Sequence, residues 1–452
     1  MTAPTGSDRP QSPLARMPFF YGWVVVAVAF VTMGIGVNTR TAFSLLYPPI
    51  LDEFGWERGV TAAAFSIGFM SSILISPFTG RLVDRFGPRY TIPAATLIVA
   101  AGMALAPLVT QPWHLYLTLG AMVVGASVML SYIGHSLFLP LWFIRKRGLA
   151  VGIAFSGVGV GSVLLFPWLQ TLIDTVGWRE ACWTLAILMV ATLVPLNFLL
   201  QRHQPSDLGL EPDGDARPSA DGSGPQPVDN IVDREWAAVD WTVKRAMCTG
   251  RFWWLVFGFA TGLYTWYAIQ VHQTRYLVEN GFTAEMAAVA LGLVGLTGIV
   301  GQIGLGALSD RIGREWAWTL SGLGYVACCA LLLVIKIEPS PLLMYLMVAA
   351  QGALGYGLAS VFGAIPAEIF QGRHYGSIFG VIGGASIAGG AIGPWLTGSL
   401  FDWTGTYVAA FWLAMGMSAF SILCVWMASP RKVRLVAGQA AKRARAGAQT
   451  AA

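Results

Sequence analysis

The chain has 452 residues, 55% of them hydrophobic and only 11% charged, against roughly 25% charged in a soluble domain. A soluble core cannot hide that much apolar surface, so the solvent has to be lipid. The net charge of +5 comes from unevenly placed basic residues that report orientation in a membrane rather than nucleic-acid binding, and the five cysteines (Cys182, Cys248, Cys328, Cys329, Cys424) have no metal or redox spacing.

Residues 1–19 form a polar, Pro-rich tail with Arg9 and Arg16. The first apolar run, from Phe20 to about Tyr47, is too long for a signal-peptide core and reads as a membrane span. Twelve such segments follow one another, at about 20–47, 58–79, 90–110, 113–141, 149–173, 179–200, 252–276, 283–305, 316–336, 341–367, 375–400 and 406–428. Each is close to the ~20 residues that cross a bilayer as a helix. Lipid offers free backbone groups no partner, so the segments have to be helical. The expected fold is an all-α membrane protein of twelve transmembrane helices.

Gly80–Arg89 (GRLVDRFGPR), between the second and third segments, has a degenerate copy 226 positions on, Gly306–Arg314 (GALSDRIGR). Gly55-Trp56 maps onto Gly281-Phe282 at the same offset, and Gly148-Leu-Ala-Val-Gly152 with Pro167-Trp168 resembles Gly376-Ser-Ile-Phe-Gly380 with Pro394-Trp395. One half of the chain is therefore a copy of the other: two pseudo-symmetric six-helix bundles, 20–202 and 251–429, a layout suited to rocking about a central site. Gly-rich fifth and eleventh segments let helix backbones approach closely, for sliding or for static packing.

If the N-terminus is cytoplasmic, the outer loops hold only Arg58, Arg179 and Lys336, while Arg40 and Arg275 sit in or at the ends of spans. The other 23 of the 28 Lys and Arg residues then lie inside, so both termini are expected in the cytoplasm. Residues 203–250 form a cytoplasmic linker, expected to be disordered through Asn230. Trp236, Val239, Val243 and Met247 recur at helical spacing within 232–249, which fits either an amphipathic surface helix or an ordered lead-in to the seventh span. The Ala/Arg-rich tail, 430–452, is expected to fray.

These residues resemble the major facilitator superfamily, whose loop motif between spans two and three is similar to GRLVDRFGPR. Trp142–Gly161 looks like the fifth-span signature of the monocarboxylate porter family, and Gly22-Trp23 with the following valines is similar to its first-span signature. That family's acidic residue before the first signature is replaced here by Phe20 or Tyr21. Its Asp and Arg pair in span eight is missing too, since Gly298–Leu308 offers only Gln302. The resemblance implies a plasma-membrane transporter of small organic anions, with departures from proton-coupled lactate transport as the animal members perform it.

Alternating access needs gates and a polar site near mid-membrane. The expected gates are Gly80, Asp84 and Arg85 with the second copy Asp310 and Arg311; they either pair with facing helix ends or merely anchor the loops. Glu368, at the inner end of span ten, is expected to pair with this cluster or with Arg145. Arg40 is the leading site residue, sharing a face with Gly36 and Ser44. No mid-span carboxylate neutralises it, so it either holds a substrate anion in a bidentate fork or snorkels to the interface. Tyr264, Tyr267 and Tyr356 either line the cavity or pack. Tyr132, His135, Gln302 and His272 are secondary candidates, and a proton-coupled cycle would need His135 or His272 to titrate.

No nucleotide loop, nucleophile motif or metal constellation is present in the sequence, so neither an enzyme nor a cofactor is expected. The expected partners are a small-molecule anion, the bilayer and, in a coupled cycle, a proton; no nucleic acid is expected and a monomer is assumed. An exporter of hydrophobic or drug-like compounds on the same fold, or a non-transporting membrane sensor, stands as the alternative.

Overall fold

The computed structural model describes residues 18–56, 58–214 and 230–451. Eleven helical spans among the described residues are long and apolar enough to cross a bilayer. In the first half these are α1 (Gly22–Phe54), α2 (Ala63–Phe86), α3 (Pro88–Leu108), α4 (Pro112–Trp142), α5 (Arg147–Val176) and α6 (Trp178–Leu200). The seventh long helix, α7 (Gly250–Glu279), has 30 residues, enough for about 45 Å at 1.5 Å per residue. It is rich in Trp and Tyr and carries Thr265, Gln270 and Gln273, of which Thr265 and Gln273 are buried within the protein. The second half continues with α8 (Ala284–Ile312), α9 (Arg314–Ile335), α10 (Pro341–Ile369), α11 (Tyr375–Thr404) and α12 (Val408–Ala428). Twelve membrane helices in two six-helix bundles result.

Span α1 runs past the expected end at Tyr47, because Pro48 and Pro49 sit inside the helix, and it stops at Gly55 in the left-handed region (φ +60°). The two bundles meet along two related seams. In one, α2 packs on α11; in the other, α5 packs on α8. Close approach needs glycine at both. A Cβ on Gly80 would strike the Gly376 carbonyl, and one on Gly148 would strike the Gly306 carbonyl.

Spans α4 and α10 are irregular at equivalent depths. In α4 a π-helical stretch, Tyr116–Gly125, passes into the 3-10 turn Ala126–Leu130. In α10 the same order recurs at Ala350–Leu354 and Gly355–Gly357. Such breaks re-aim the side chains that follow them, here Tyr132 and Tyr356.

The linker and tail depart from expectation. Residues 203–214 are packed: Pro205 and Leu208 are buried, Asp207 accepts the backbone N–H of His203 and Gln204, and Asp213 accepts those of Ile144 and Arg145. Composition misleads here because a few anchoring contacts outweigh many polar residues. The expected disorder of 215–229, and the tail 1–17, lie outside the described residues. The amphipathic segment is two short turns, Arg234–Ala238 and Val243–Met247, broken around the buried Trp241. The start of the C-terminal tail is docked: Val232 donates to the Val433 carbonyl, Leu435 to that of Asn230, and the Gln439 amide to that of Ile312. The helix α13 (Ala437–Ala451) follows. Linker and tail thus share one face of the bundle, called the terminal face below.

Candidate functional site

The central cluster is built from both halves. Arg40, half-buried on α1, holds its guanidinium over the Phe69 ring of α2, 4.3 Å from the centroid. Phe69 meets Tyr267 of α7 edge-on at 6.2 Å, and Tyr267 is within electrostatic reach of Arg40. Among the described residues no carboxylate forms an ion pair with Arg40. Cation–π contact offsets part of the desolvation of that charge but leaves its five donors unused.

Around this pair stand aromatic rings and amides. Tyr132 of α4 packs against Phe155 (5.0 Å) and Trp266 (6.4 Å), and its hydroxyl meets Gln302 of α8. Tyr356 of α10 lies against Trp266 at 4.2 Å and donates to Gln270 Oε1 at 2.8 Å. The same oxygen faces the Gln351 amide at 3.4 Å. Among the described residues, the buried Oε1 atoms of Gln302 and Gln351 and the Tyr325 hydroxyl have no hydrogen-bond partner. Polar atoms left open this deep are costly unless something else reaches them. The wall that emerges has one cation, several amides and an aromatic lining, which suits an anion with an apolar body.

Not every expected residue joins it. Tyr264 and Tyr267 were expected to share a face. Only Tyr267 reaches the cluster, while Tyr264 is buried with its hydroxyl beside Thr397 of α11. His272 accepts from or donates to the Tyr407 hydroxyl at 3.3 Å and faces the Pro394 carbonyl at 2.9 Å, so both ring nitrogens are engaged within the second bundle. His135 is fully buried one turn beyond Tyr132, with Nδ1 on the Ser131 carbonyl at 3.1 Å and Nε2 without a partner among the described residues. Arg275 lies at the surface in an i,i+4 pair with Glu279.

The residues expected to act as gates form a two-fold arrangement. The Gly376 N–H donates to Asp84 Oδ1 at 2.9 Å, and the Ser377 N–H and hydroxyl donate to Oδ2 at 2.8 and 2.6 Å. On the other seam the Gly148 and Leu149 N–H groups donate to Asp310 Oδ1 and Oδ2 at 2.9 and 3.0 Å. Each aspartate at the end of one half's helix therefore caps the first turn of the opposite half's Gly-rich helix, where free N–H groups and the helix dipole favour an anion.

The second seam carries more charge. Arg314 bonds Asp310 Oδ1 at 2.7 Å and Glu368 Oε1 at 2.8 Å, and Arg147 reaches that Glu368 oxygen at 3.7 Å, all four residues being buried. Glu368 thus pairs with Arg314 and Arg147. Arg145, one of the two expected partners, is exposed and turns to Asp213, because its backbone N–H is already fixed by that carboxylate. Arg85 and Arg311 are exposed on the terminal face, Arg85 over the Phe86 ring. On the first seam the buried Tyr375 hydroxyl donates to the Ser136 and Gly363 carbonyls instead.

Sequence reasoning missed Arg147 and Arg314, as well as Phe69, Trp266 and Gln351. Arg314 falls opposite Pro88 in the repeat, and Arg147 is masked within Arg145-Lys146-Arg147. Hydrogen bonds and ion pairs join the two halves toward the terminal face, at Ser76–Gly380, Tyr375–Ser136 and the seams above. The terminal face is closed.

The sequence profile of the Major Facilitator Superfamily matches residues 24–361 and 326–450. Monocarboxylate transporter 13 of Rattus norvegicus is 27% identical over 396 residues, covering 87% of this chain and 86% of that protein. Monocarboxylate transporter 11 of Homo sapiens is 27% identical over 428 residues, covering 91% and 83%. The crystal structure of the transporter FucP in its outward conformation overlays with a TM-score of 0.66 at 16% identity, covering 90% of this chain and 99% of that one. The proton:xylose symporter XylE overlays with a TM-score of 0.62 at 14% identity, covering 90% and 95%. A membrane transporter rather than an enzyme, the chain belongs to the major facilitator superfamily.

Proposed function

We propose that the protein carries small organic anions, monocarboxylates foremost, across the plasma membrane by alternating access between its two bundles, as a monomer with both termini in the cytoplasm. The observation that carries this reading is Arg40, an intramembrane cation without a carboxylate partner, set against a ring and open amides. A carboxylate would take two of its unused donors in a planar fork, while Phe69, Trp266 and Tyr356 would cover its apolar end. The two named relatives, monocarboxylate transporters at 27% identity, support the substrate class. Asp84, Arg85, Gly80, Asp310, Arg311 and Glu368 then serve the closing and parting of the terminal face. Where a proton accompanies the anion, His135 is the better carrier, since His272 is held at both nitrogens.

The test is counterflow of a labelled panel (lactate, pyruvate, branched 2-oxo acids, oxalate) into liposomes by wild type and Arg40→Ala. Counterflow needs no driving gradient, so it works whatever the coupling ion. Uptake of one acid that vanishes in the variant establishes the anion site. Uptake of none removes this reading. The aromatic lining favours a second reading, export of hydrophobic compounds, which predicts dye efflux insensitive to Arg40→Ala.

A further inference from the structure

Where α2, the start of α11 and the second linker turn converge on the terminal face, a cavity of about 980 Å³ is lined by Arg81, Asp84, Arg85, Lys244, Arg373 and His374. Asp84 is already engaged by the α11 N-terminus. What remains is a ring of four exposed cations, Arg81, Arg85, Lys244 and Arg373, none in an ion pair among the described residues. Like charges about one concavity repel each other and focus a positive potential. That repulsion is relieved by an occupant with several anionic oxygens, which guanidinium forks can grip.

The rim of the cavity says more about the occupant. Phe78, Leu82 and Phe86 are exposed at four-residue spacing along α2, with Arg81 over Phe78 and Arg85 over Phe86. On the opposite wall Met247 and Trp253 are exposed as well. Cations at the mouth and apolar rows running toward the hydrocarbon fit a molecule with a phosphate head and acyl chains.

We propose that this cavity binds the phosphate-bearing headgroup of an anionic phospholipid from the leaflet at the terminal face. Arg81 and Arg85 belong to the first half, whereas Lys244 and Arg373 lead into α7 and α11 of the second. A bound headgroup therefore ties the halves together beside the Asp84 seam and favours the closed terminal face.

The full chain is reconstituted in nanodiscs of phosphatidylcholine, with or without phosphatidylglycerol, and read by native mass spectrometry and thermal unfolding. The expected result is selective retention of phosphatidylglycerol with a raised Tm. The triple variant Arg81→Gln, Lys244→Gln, Arg373→Gln should weaken that retention about a hundredfold, while Lys432→Gln leaves it unchanged. All these side chains are exposed, and the wild-type lipid comparison stands without any variant. Equal retention of both lipids, or undiminished retention by the triple variant, overturns the proposal. If inorganic phosphate added to phosphatidylcholine discs raises Tm as much as phosphatidylglycerol does, the lipid is overturned as the occupant in favour of a free anion.

Discussion

Asp84 accepts both the amide and the hydroxyl of Ser377, at 2.8 and 2.6 Å, so the end of α2 in one half is the N-cap of α11 in the other. Loss of such a cap costs about 0.5–2 kcal/mol, here charged to the closed terminal face alone. Asp84→Ala should slow turnover several-fold while leaving substrate binding within about twofold, as checked by transport rates beside equilibrium binding. Lost binding with normal turnover would remove the gate assignment.

Glu368 holds two buried guanidinium groups, Arg314 at 2.8 Å and Arg147 at 3.7 Å. Removing one member of a buried ion network typically costs about 3–5 kcal/mol, because charge is left uncompensated. Glu368→Gln should therefore lower Tm markedly, and adding Arg147→Met should recover part of the loss. A double variant that is simply additive would show that the two residues do not interact.

At Arg40 the distinction between charge and geometry is testable. Arg40→Ala should abolish counterflow of the transported acid. Arg40→Lys should retain it with affinity lowered about tenfold or more, since an ammonium keeps the charge but not the fork. Detergent-solubilised samples of both should elute as folded wild type does. Wild-type affinity in the lysine variant would argue against bidentate binding.

His272 spans Tyr407 and Pro394 within one bundle. Each neutral hydrogen bond contributes about 1 kcal/mol, so His272→Phe should lower Tm while counterflow and its pH profile stay as in wild type. A profile that moves with this substitution would instead assign His272 to proton transfer.

The helical architecture was legible because lipid imposes one rule, about twenty apolar residues per span, and eleven of the described helices obey it outright. Asp84 and Asp310 stood out through the internal repeat. Their partners did not, since backbone N–H groups at a helix start carry no residue-type signal. Arg314 was hidden for the opposite reason: it breaks the repeat, taking the place of Pro88. Residues 203–214 read as disordered from their composition, yet Leu208 and Asp213 anchor them under the bundle. At the centre, Arg40 was visible as an isolated intramembrane charge, whereas Phe69 lay among many phenylalanines with nothing to mark it.

The lone charge of Arg40 also has an electrical consequence. On the proposed reading a bound monoanion makes the site neutral, whereas the empty site keeps the one positive charge of Arg40 within the membrane field. A full elementary charge crossing the field is worth about 2.3 kcal/mol per 100 mV. Exchange, which shuttles only the loaded carrier, should then ignore membrane voltage. Net flux, which requires the empty carrier to return, should respond to it.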